Sequence, residues 1–477
     1  MIARWLLKIA AMTSLVTQFG TGTALPQTGG GVHVPAHERF VLPNGVTVLI
    51  VPKRDVPLIA FNAVLRSGEL GDLAGKPGVA SLVAGLLEKG AGERDAFAFA
   101  DAVENVGGSF HSSAAAEDIT VRGQFLARDQ DLMLELLADA LLRPRLDAEE
   151  LQTLRARQIE LIKATKDSDP SELIGTYGRA FLFRNHPYGR PVIGNESSLA
   201  TISRSDVLDY YRAQFGPDRL TLVFAGDLDV AALKASLAKR FGHWPKGSRP
   251  APALTAPERG KMRRALLIDS PGSVQTYFWI GNVGVDRHYR DRAALDLVNT
   301  LYGGRFTSIL NTELRIKSGL SYGARSGFTR GTVAGEFAIR SFAQTENTGQ
   351  AVDLAIQTLR QLKRDGVTDE MLDSARSYVL GQYPLEFETA ADWAAALSEM
   401  ELYRLGPAYI NDYGPQLRQV TLQQARSVID RAFPDPDSLA IVLIGDAARI
   451  RDQVAAYGPV TEIPLTRPAF NCDAGAP

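Results

Sequence analysis

Two stretches of this chain, far apart in sequence, follow one plan. Residues 205–229 read SDVLDYYRAQFGPDRLTLVFAGDLD, and residues 420–446 read VTLQQARSVIDRAFPDPDSLAIVLIGD. Each is an amphipathic helix, an aromatic residue (Phe215, Phe433), a Pro/Asp turn, an apolar strand and then Gly-Asp. Phe215 and Phe433 lie 218 residues apart, and Gly226 and Gly445 lie 219 apart. The order upstream agrees as well. In the first half Val46–Val51 and Leu58–Leu65 are strands by pattern, and Gly78–Lys89 is a helix. Ser109–Leu126 holds strand material, and helices cover 129–166 with a break near Pro144. In the second half Arg264–Ile268 and Gln275–Ile280 are strands, with a helix over 289–302. A strand over Gly335–Arg340 and a largely helical Thr348–Arg376 follow.

Between the halves lies WPKGSRPAPALTAPERGK (244–261), whose four prolines and two glycines mark a linker. The expected fold class is α+β: two duplicated, related domains, 36–243 and 262–465. Each is a mostly antiparallel or mixed sheet flanked by helices, with a tail at 466–477. No glycine-rich phosphate loop interrupts the pattern.

Composition narrows the chemistry. The 477 residues carry 52 Lys+Arg against 54 Asp+Glu, a formal charge of −2 that excludes a polycationic nucleic-acid binder. Cys472 is the single cysteine, which excludes a disulfide framework, a cysteine-based zinc site and a cysteine nucleophile. Catalysis must therefore use oxygen and nitrogen side chains. At the N-terminus, Arg4 and Lys8 precede an apolar run over Ile9–Val16, and Gly22-Thr23-Ala24 offers small residues for cleavage. That is the pattern of a secretory signal over 1–24, cut near Ala24, with a flexible lead-in over 25–35. The run is too short to span a bilayer. An exported, periplasmic protein without stable membrane insertion is expected.

Helix 78–89 carries a core stripe of Val79, Leu82, Val83, Leu86 and Leu87. A second stripe holds Ser81, Ala84, Gly85 and Glu88. Small residues there imply close approach of another backbone or the wall of a cavity.

FVLPNGVTVLIVPKRDVPLIAFNAVLRSGEL (40–70) and KPGVASLVAGLLEKG (76–90) together resemble the opening of the pitrilysin/insulinase-like zinc peptidases. NHPYGRPVIGNESSLATISRSDVLDYYRAQFGPDRLTLVFAGDLD (185–229) is similar to the end of that family's first domain, and GGRFTSILNTELRIKSGLSYGARSGF (303–328) to its second. The resemblance spans residues 36–465 and implies a fold of the metallopeptidase/LuxS-like type. It implies more about the site. Catalytic members carry His-x-x-Glu-His on this helix and a third ligand, a Glu, about 77 residues on. Two imidazoles one turn apart share a Zn²⁺, and the Glu between them deprotonates its water.

Laid on this sequence, the two His positions are Ser81 and Gly85, the general base is Ala84 and the distal Glu is Ile162, or Glu160 if the spacing shifts. Glu88 has no imidazole partners with which to rebuild a site. Of the six histidines, His33 and His37 flank Pro35 in coil. His111 and His186 suit structural roles, and His243 and His288 have no nearby carboxylates in sequence. No metal is expected on this chain.

The family's second element, an Arg and a Tyr seven positions apart, is intact as Arg315 and Tyr322. A helix over Arg305–Lys317, with apolar Phe306, Ile309, Leu310 and Leu314 and with Gly319 at its C-cap, would bring both to one point. A guanidinium and a phenol aimed at one carbonyl oxygen stabilise a tetrahedral oxyanion. By this resemblance the chain is the non-zinc subunit of a two-chain peptidase. It has no cofactor of its own, and zinc sits on a homologous partner. It binds peptide or unfolded protein, not nucleic acid, and is active only in the complex. A non-catalytic peptide-binding or scaffold protein of the same fold is the alternative. A self-sufficient zinc endopeptidase ranks last.

Overall fold

Leu220–Gly226 (LTLVFAG) and Ala440–Gly445 (AIVLIG) are buried at every position. Strands covered on both faces read as unbroken apolar runs instead of alternating ones. Each lies inside a six-stranded sheet of a computed structural model that describes residues 31–245 and 253–472. The expected signal segment, most of the lead-in, the centre of the linker and the last five residues lie outside the described residues.

The first sheet holds β1 (Glu38–Val41), β2 (Thr47–Pro52), β3 (Leu58–Arg66), β4 (Ser109–Ala114), β5 (Asp118–Leu126) and β6 (Leu220–Gly226) in the order β1-β2-β6-β3-β5-β4. The second holds β7 (Arg264–Asp269), β8 (Gln275–Val283), β9 (Ala324–Phe328), β10 (Glu336–Gln344), β11 (Ala440–Gly445) and β12 (Val460–Pro464) in the order β9-β10-β8-β11-β7-β12. From the β4 and β9 edges inward, five strands correspond one to one. The pairs β4/β5, β5/β3 and β3/β6 are antiparallel and β6/β2 is parallel. Their counterparts β9/β10, β10/β8, β8/β11 and β11/β7 match in every sense. The sixth strand breaks the likeness: β1 joins antiparallel and β12 parallel.

Successive residues on each strand serve two cores. Val48, Ile50, Phe61 and Phe224 face one, while Leu49, Val51, Ala60 and Val223 face the other. The principal helices are α1 (Val79–Leu86), α2 (Gln130–Leu142), α3 (Ala148–Ser168), α4 (Ile174–Phe183), α5 (Arg292–Asn299), α6 (Thr348–Asp365), α7 (Asp369–Gln382) and α8 (Ala390–Tyr403). Helix α4 of the first half lies on β8 and β11 of the second, and α8 of the second half lies on β3 and β6 of the first. At the first of these crossings a Cβ on Gly178 would lie 2.6 Å from the Trp279 ring, so glycine is what lets α4 approach.

The expected elements recur with shifted ends: 129–166 is α2 and α3, broken at Arg143–Asp147, and the 335–340 strand runs on to Gln344. Helix 289–302 is α5 followed by a π-helical turn, Thr300–Gly304. One expectation is corrected. Residues 32–35 are tied to the second half, where Val34 N donates to Asn411 Oδ1 at 2.7 Å. The described start of the tail packs on the first half: Phe470 is 2% exposed and its ring sits 5.0 Å from that of Tyr177. Burying the Phe470 ring removes a large apolar surface from water.

Candidate functional site

Helix α1 begins where Asp72 accepts hydrogen bonds from the backbone N–H of Gly78 and Ala80, both at 2.7 Å. Its apolar stripe, Val79, Leu82, Val83 and Leu86, is fully buried. The small-residue stripe faces α3. A Cβ on Gly85 would lie 2.7 Å from Leu154 Cδ2, and Ser81 Oγ accepts from Gln158 Nε2 at 3.3 Å. Ile162 is 2% exposed on that same face of α3, whereas Glu160 is exposed and paired with Lys163 at 2.9 Å. Of the two candidates for the distal position, Ile162 is therefore packed in the core and Glu160 stands at the surface.

Ser112 on β4 donates its backbone N–H to the Glu88 carboxylate and its hydroxyl to Ala84 O. Zinc needs imidazole, thiolate or carboxylate donors converging on one point. Ser81, Ala84, Gly85 and Ile162 offer one hydroxyl, itself engaged by Gln158, and Leu154 leaves no room at Gly85. These residues do not fit the metal. No group of three or more His, Cys, Asp or Glu among the described residues is arranged to hold one.

At the other motif the sequence expectation needs one correction. The helix begins at Ile309, not Arg305, and from Thr312 to Lys317 it is π-helical. Ser308 is its cap: extended at ψ 160°, it accepts from Asn311 N at 3.3 Å. Arg305–Thr307 is consequently a turn, and Phe306 is 61% exposed. The wider π turn closes with Ser318 N donating to Glu313 O at 3.1 Å. Gly319 then turns the chain at φ +68°, and Ser321 N donates to Leu314 O at 3.0 Å. Tyr322 emerges next, 75% exposed.

The guanidinium of Arg315 lies 4.4 Å over the Tyr322 ring and 4.8 Å over the Phe306 ring. Neither Arg315 nor Tyr322 hydrogen-bonds to another described side chain or carbonyl. Arg315 is thus not spent on helix-end carbonyls, and Tyr322 is not half-buried. Both side chains line a cavity of about 960 Å³ on the open face of the second sheet, closed on one side by Ser171 and Ile174 of the first half.

Sequence reasoning missed the residue that holds this loop. Asn311, 4% exposed, donates to Phe306 O at 2.7 Å and accepts from Ala324 N at 3.1 Å, pinning the turn before the helix and the strand after it. The signal available was an asparagine among Ile309, Leu310 and Leu314. His186 is structural, as expected: its Nδ1 accepts from Tyr188 N at 3.2 Å and its Nε2 contacts Thr255 O at 2.8 Å.

Known proteins share both the sequence and the fold. The model of the insulinase family, peptidase family M16, matches residues 61–196, and that of the peptidase M16 inactive domain matches 201–379. A Mycobacterium tuberculosis protein named as an uncharacterized zinc protease is 27% identical over 398 residues, covering 82% of this chain and 90% of its own. The non-peptidase homolog YmxG of Helicobacter pylori is 24% identical over 351 residues, 72% of this chain and 79% of its own. The crystal structure of a peptidase M16 inactive domain from Pseudomonas fluorescens superposes with a TM-score of 0.80 at 25% identity, covering 86% of this chain and 98% of that one. The periplasmic protease PqqL of Escherichia coli shares the fold alone, with a TM-score of 0.74 at 15% identity over 88% of this chain and 47% of its own.

Proposed function

The chain belongs to the insulinase peptidase family, M16, and on that premise we propose that it is the non-zinc subunit of an exported two-chain peptidase. One observation carries this reading: the zinc positions are filled by packing, while Arg315 and Tyr322 stand together, uncommitted, on a cavity. In this role the Arg315 N–H groups and the Tyr322 O–H converge on the carbonyl oxygen of a bound peptide. Pre-aimed donors stabilise the charge that develops when that carbonyl is attacked, and they need no rearrangement as it forms. A homologous partner supplies zinc, its water and the general base. The peptide adds as a strand at an exposed sheet edge. The periplasm is the proposed compartment; no helix among the described residues is long and apolar enough to cross a membrane.

The test is co-expression with a zinc-bearing homologue, followed by cleavage of an unfolded peptide with and without chelator. Arg315→Ala or Tyr322→Phe should each cost the complex about 2–4 kcal/mol of transition-state stabilisation, as loss of one oxyanion donor does. Zinc-dependent cleavage by this chain alone, freed of other proteases, would overturn the proposal. The name of the Helicobacter pylori relative favours a second reading, a non-catalytic peptide-binding or scaffold protein. Under that reading both substitutions leave function unchanged.

A further inference from the structure

Around the same cavity the charge is strongly one-sided. Arg305, Arg315, Arg325 and Arg340 line it, against the single carboxylate of Glu336. The chain as a whole carries −2, so this is a local concentration and not a general basicity. Elsewhere in the second half arginines are matched with acids: Arg287 with Glu399, Arg330 with Asp296, Arg376 with Asp373, Arg451 with Glu462. Among the described residues Arg305, Arg315 and Arg325 form no ion pair. Arg305 Nη1 donates to Ser374 Oγ at 3.0 Å, and Arg315 is stacked on rings.

The strand register makes the imbalance sharper. Arg325 on β9 sits directly opposite Arg340 on β10, with Gly327 opposite Ala338 on the same face. Like charges directly opposite across a ladder destabilise it. A sheet edge serving only the fold would gain by replacing either one. Beneath them Glu336, 1% exposed, accepts from Arg340 Nη2 at 2.8 Å. Burial pushes the Glu336 carboxyl above its ordinary range, against the pull of Arg179 and Arg340. Glu336 is the one acid here, set against four arginines.

We propose that this cavity takes an acidic peptide, an extended segment whose Asp or Glu side chains lie between Arg325 and Arg340 while its backbone passes Arg315 and Tyr322. The inference rests on the reading above, that Arg315 and Tyr322 hold peptide. Side chains two residues apart on an extended chain share a face about 6.6 Å apart, so one segment presents carboxylates to this wall repeatedly. Guanidinium and carboxylate form paired, charge-assisted hydrogen bonds, and a carboxylate between two guanidiniums removes their mutual repulsion.

Fluorescence anisotropy on the full chain tests this with three labelled unfolded peptides of equal length, carrying Glu and Asp, their amide isosteres, or Lys. A single-stranded DNA oligomer is the fourth arm. The acidic peptide should bind about tenfold tighter than its isostere at low salt, and the margin should shrink as salt rises. Arg325→Gln should remove most of that margin. Arg325→Glu should turn the preference toward the Lys peptide and raise the melting temperature, since it places opposite charges across the ladder; the higher Tm also shows that the variant folds. Equal binding of acidic and amide peptides, weakened alike by Arg315→Ala, overturns the acidic preference and leaves the peptide-holding role standing. Binding indifferent to Arg315→Ala overturns both. Tighter, Arg325-dependent binding of the DNA oligomer overturns the peptide assignment.

Discussion

Glu69 has none of its surface exposed, and neither carboxylate oxygen has a hydrogen-bonding partner; the nearest cation, Arg190, is 3.7 Å away. Burial, reinforced by the charge of Asp72, pushes its carboxyl up to about 8. Asp72, at the start of α1, is pushed up to about 7 by burial, against the pull of the Ala80 and Gly78 N–H groups. The folded state therefore holds protons that the unfolded chain releases above about pH 4.5. The stability these groups contribute is fully present below that pH and is lost as pH rises through 7 and 8. Thermal melts should give a higher Tm at pH 5 than at pH 8. Glu69→Gln, neutral throughout, should flatten the profile and raise stability at pH 8 by on the order of a few kcal/mol, since each tenfold change in proton affinity is worth ~1.4 kcal/mol. A pH profile unchanged by the substitution would show that Glu69 is not the group responsible. At this scale the sequence speaks wherever spacing carries the meaning: counting along the chain singles out Ser81, Ala84, Gly85 and Ile162 or Glu160, and likewise Arg315 and Tyr322. It is silent on Glu69, Asn311 and the Arg325–Arg340 pair. Their roles depend on burial and strand register, which are properties of the assembled sheet.

Among the elements, the 309–317 helix shows how a pattern can be right and its start wrong. Phe306, Ile309, Leu310 and Leu314 fit a helical stripe, but Ser308 offers a cap hydroxyl and the paired Gly303-Gly304 breaks the chain before it. A π turn has no distinct apolar period, so its presence cannot be read from composition. Helix α4 offers a firmer test of how elements meet. A Cβ on Gly178 would lie 2.6 Å from the Trp279 ring, a rigid group with none of its surface exposed. Gly178→Ala gains ~1 kcal/mol of helix propensity. It also overpacks the core, at a cost of about 1–3 kcal/mol, and because the contact is below any real Cβ distance the upper end applies. The variant should be destabilised by ~1–2 kcal/mol in urea melts. Adding Trp279→Leu should show positive coupling in a double-mutant cycle, and additive costs would mean that the helix simply shifts.

For the whole molecule, the repeat seen in the sequence is real in topology, five strands of each sheet matching in order and direction. What the repeat does not disclose is the exchange between copies. Helix α4 covers the second sheet, its counterpart α8 covers the first, and the strand residues on those faces belong to a core that both halves build. The exchange continues at the ends: Val34 is tied to the second half through Asn411, and Phe470 is buried against Tyr177 of the first. Sequence periodicity marks a face as apolar without naming what covers it, so the linker reads as a boundary between two self-sufficient domains. Separating the halves should therefore strip each sheet of a layer and expose residues such as Trp279, now fully buried under α4. The intact chain should melt in a single transition. Fragments 31–245 and 253–472, expressed apart, should each lack a cooperative melt, and Trp279 emission should be red-shifted in the second. Mixed, they should re-form a complex with one transition and buried-tryptophan emission, because the missing layer returns with the partner fragment. Two fragments that each melt cooperatively at the temperature of the intact chain would mean that the exchanged helices add nothing to either core.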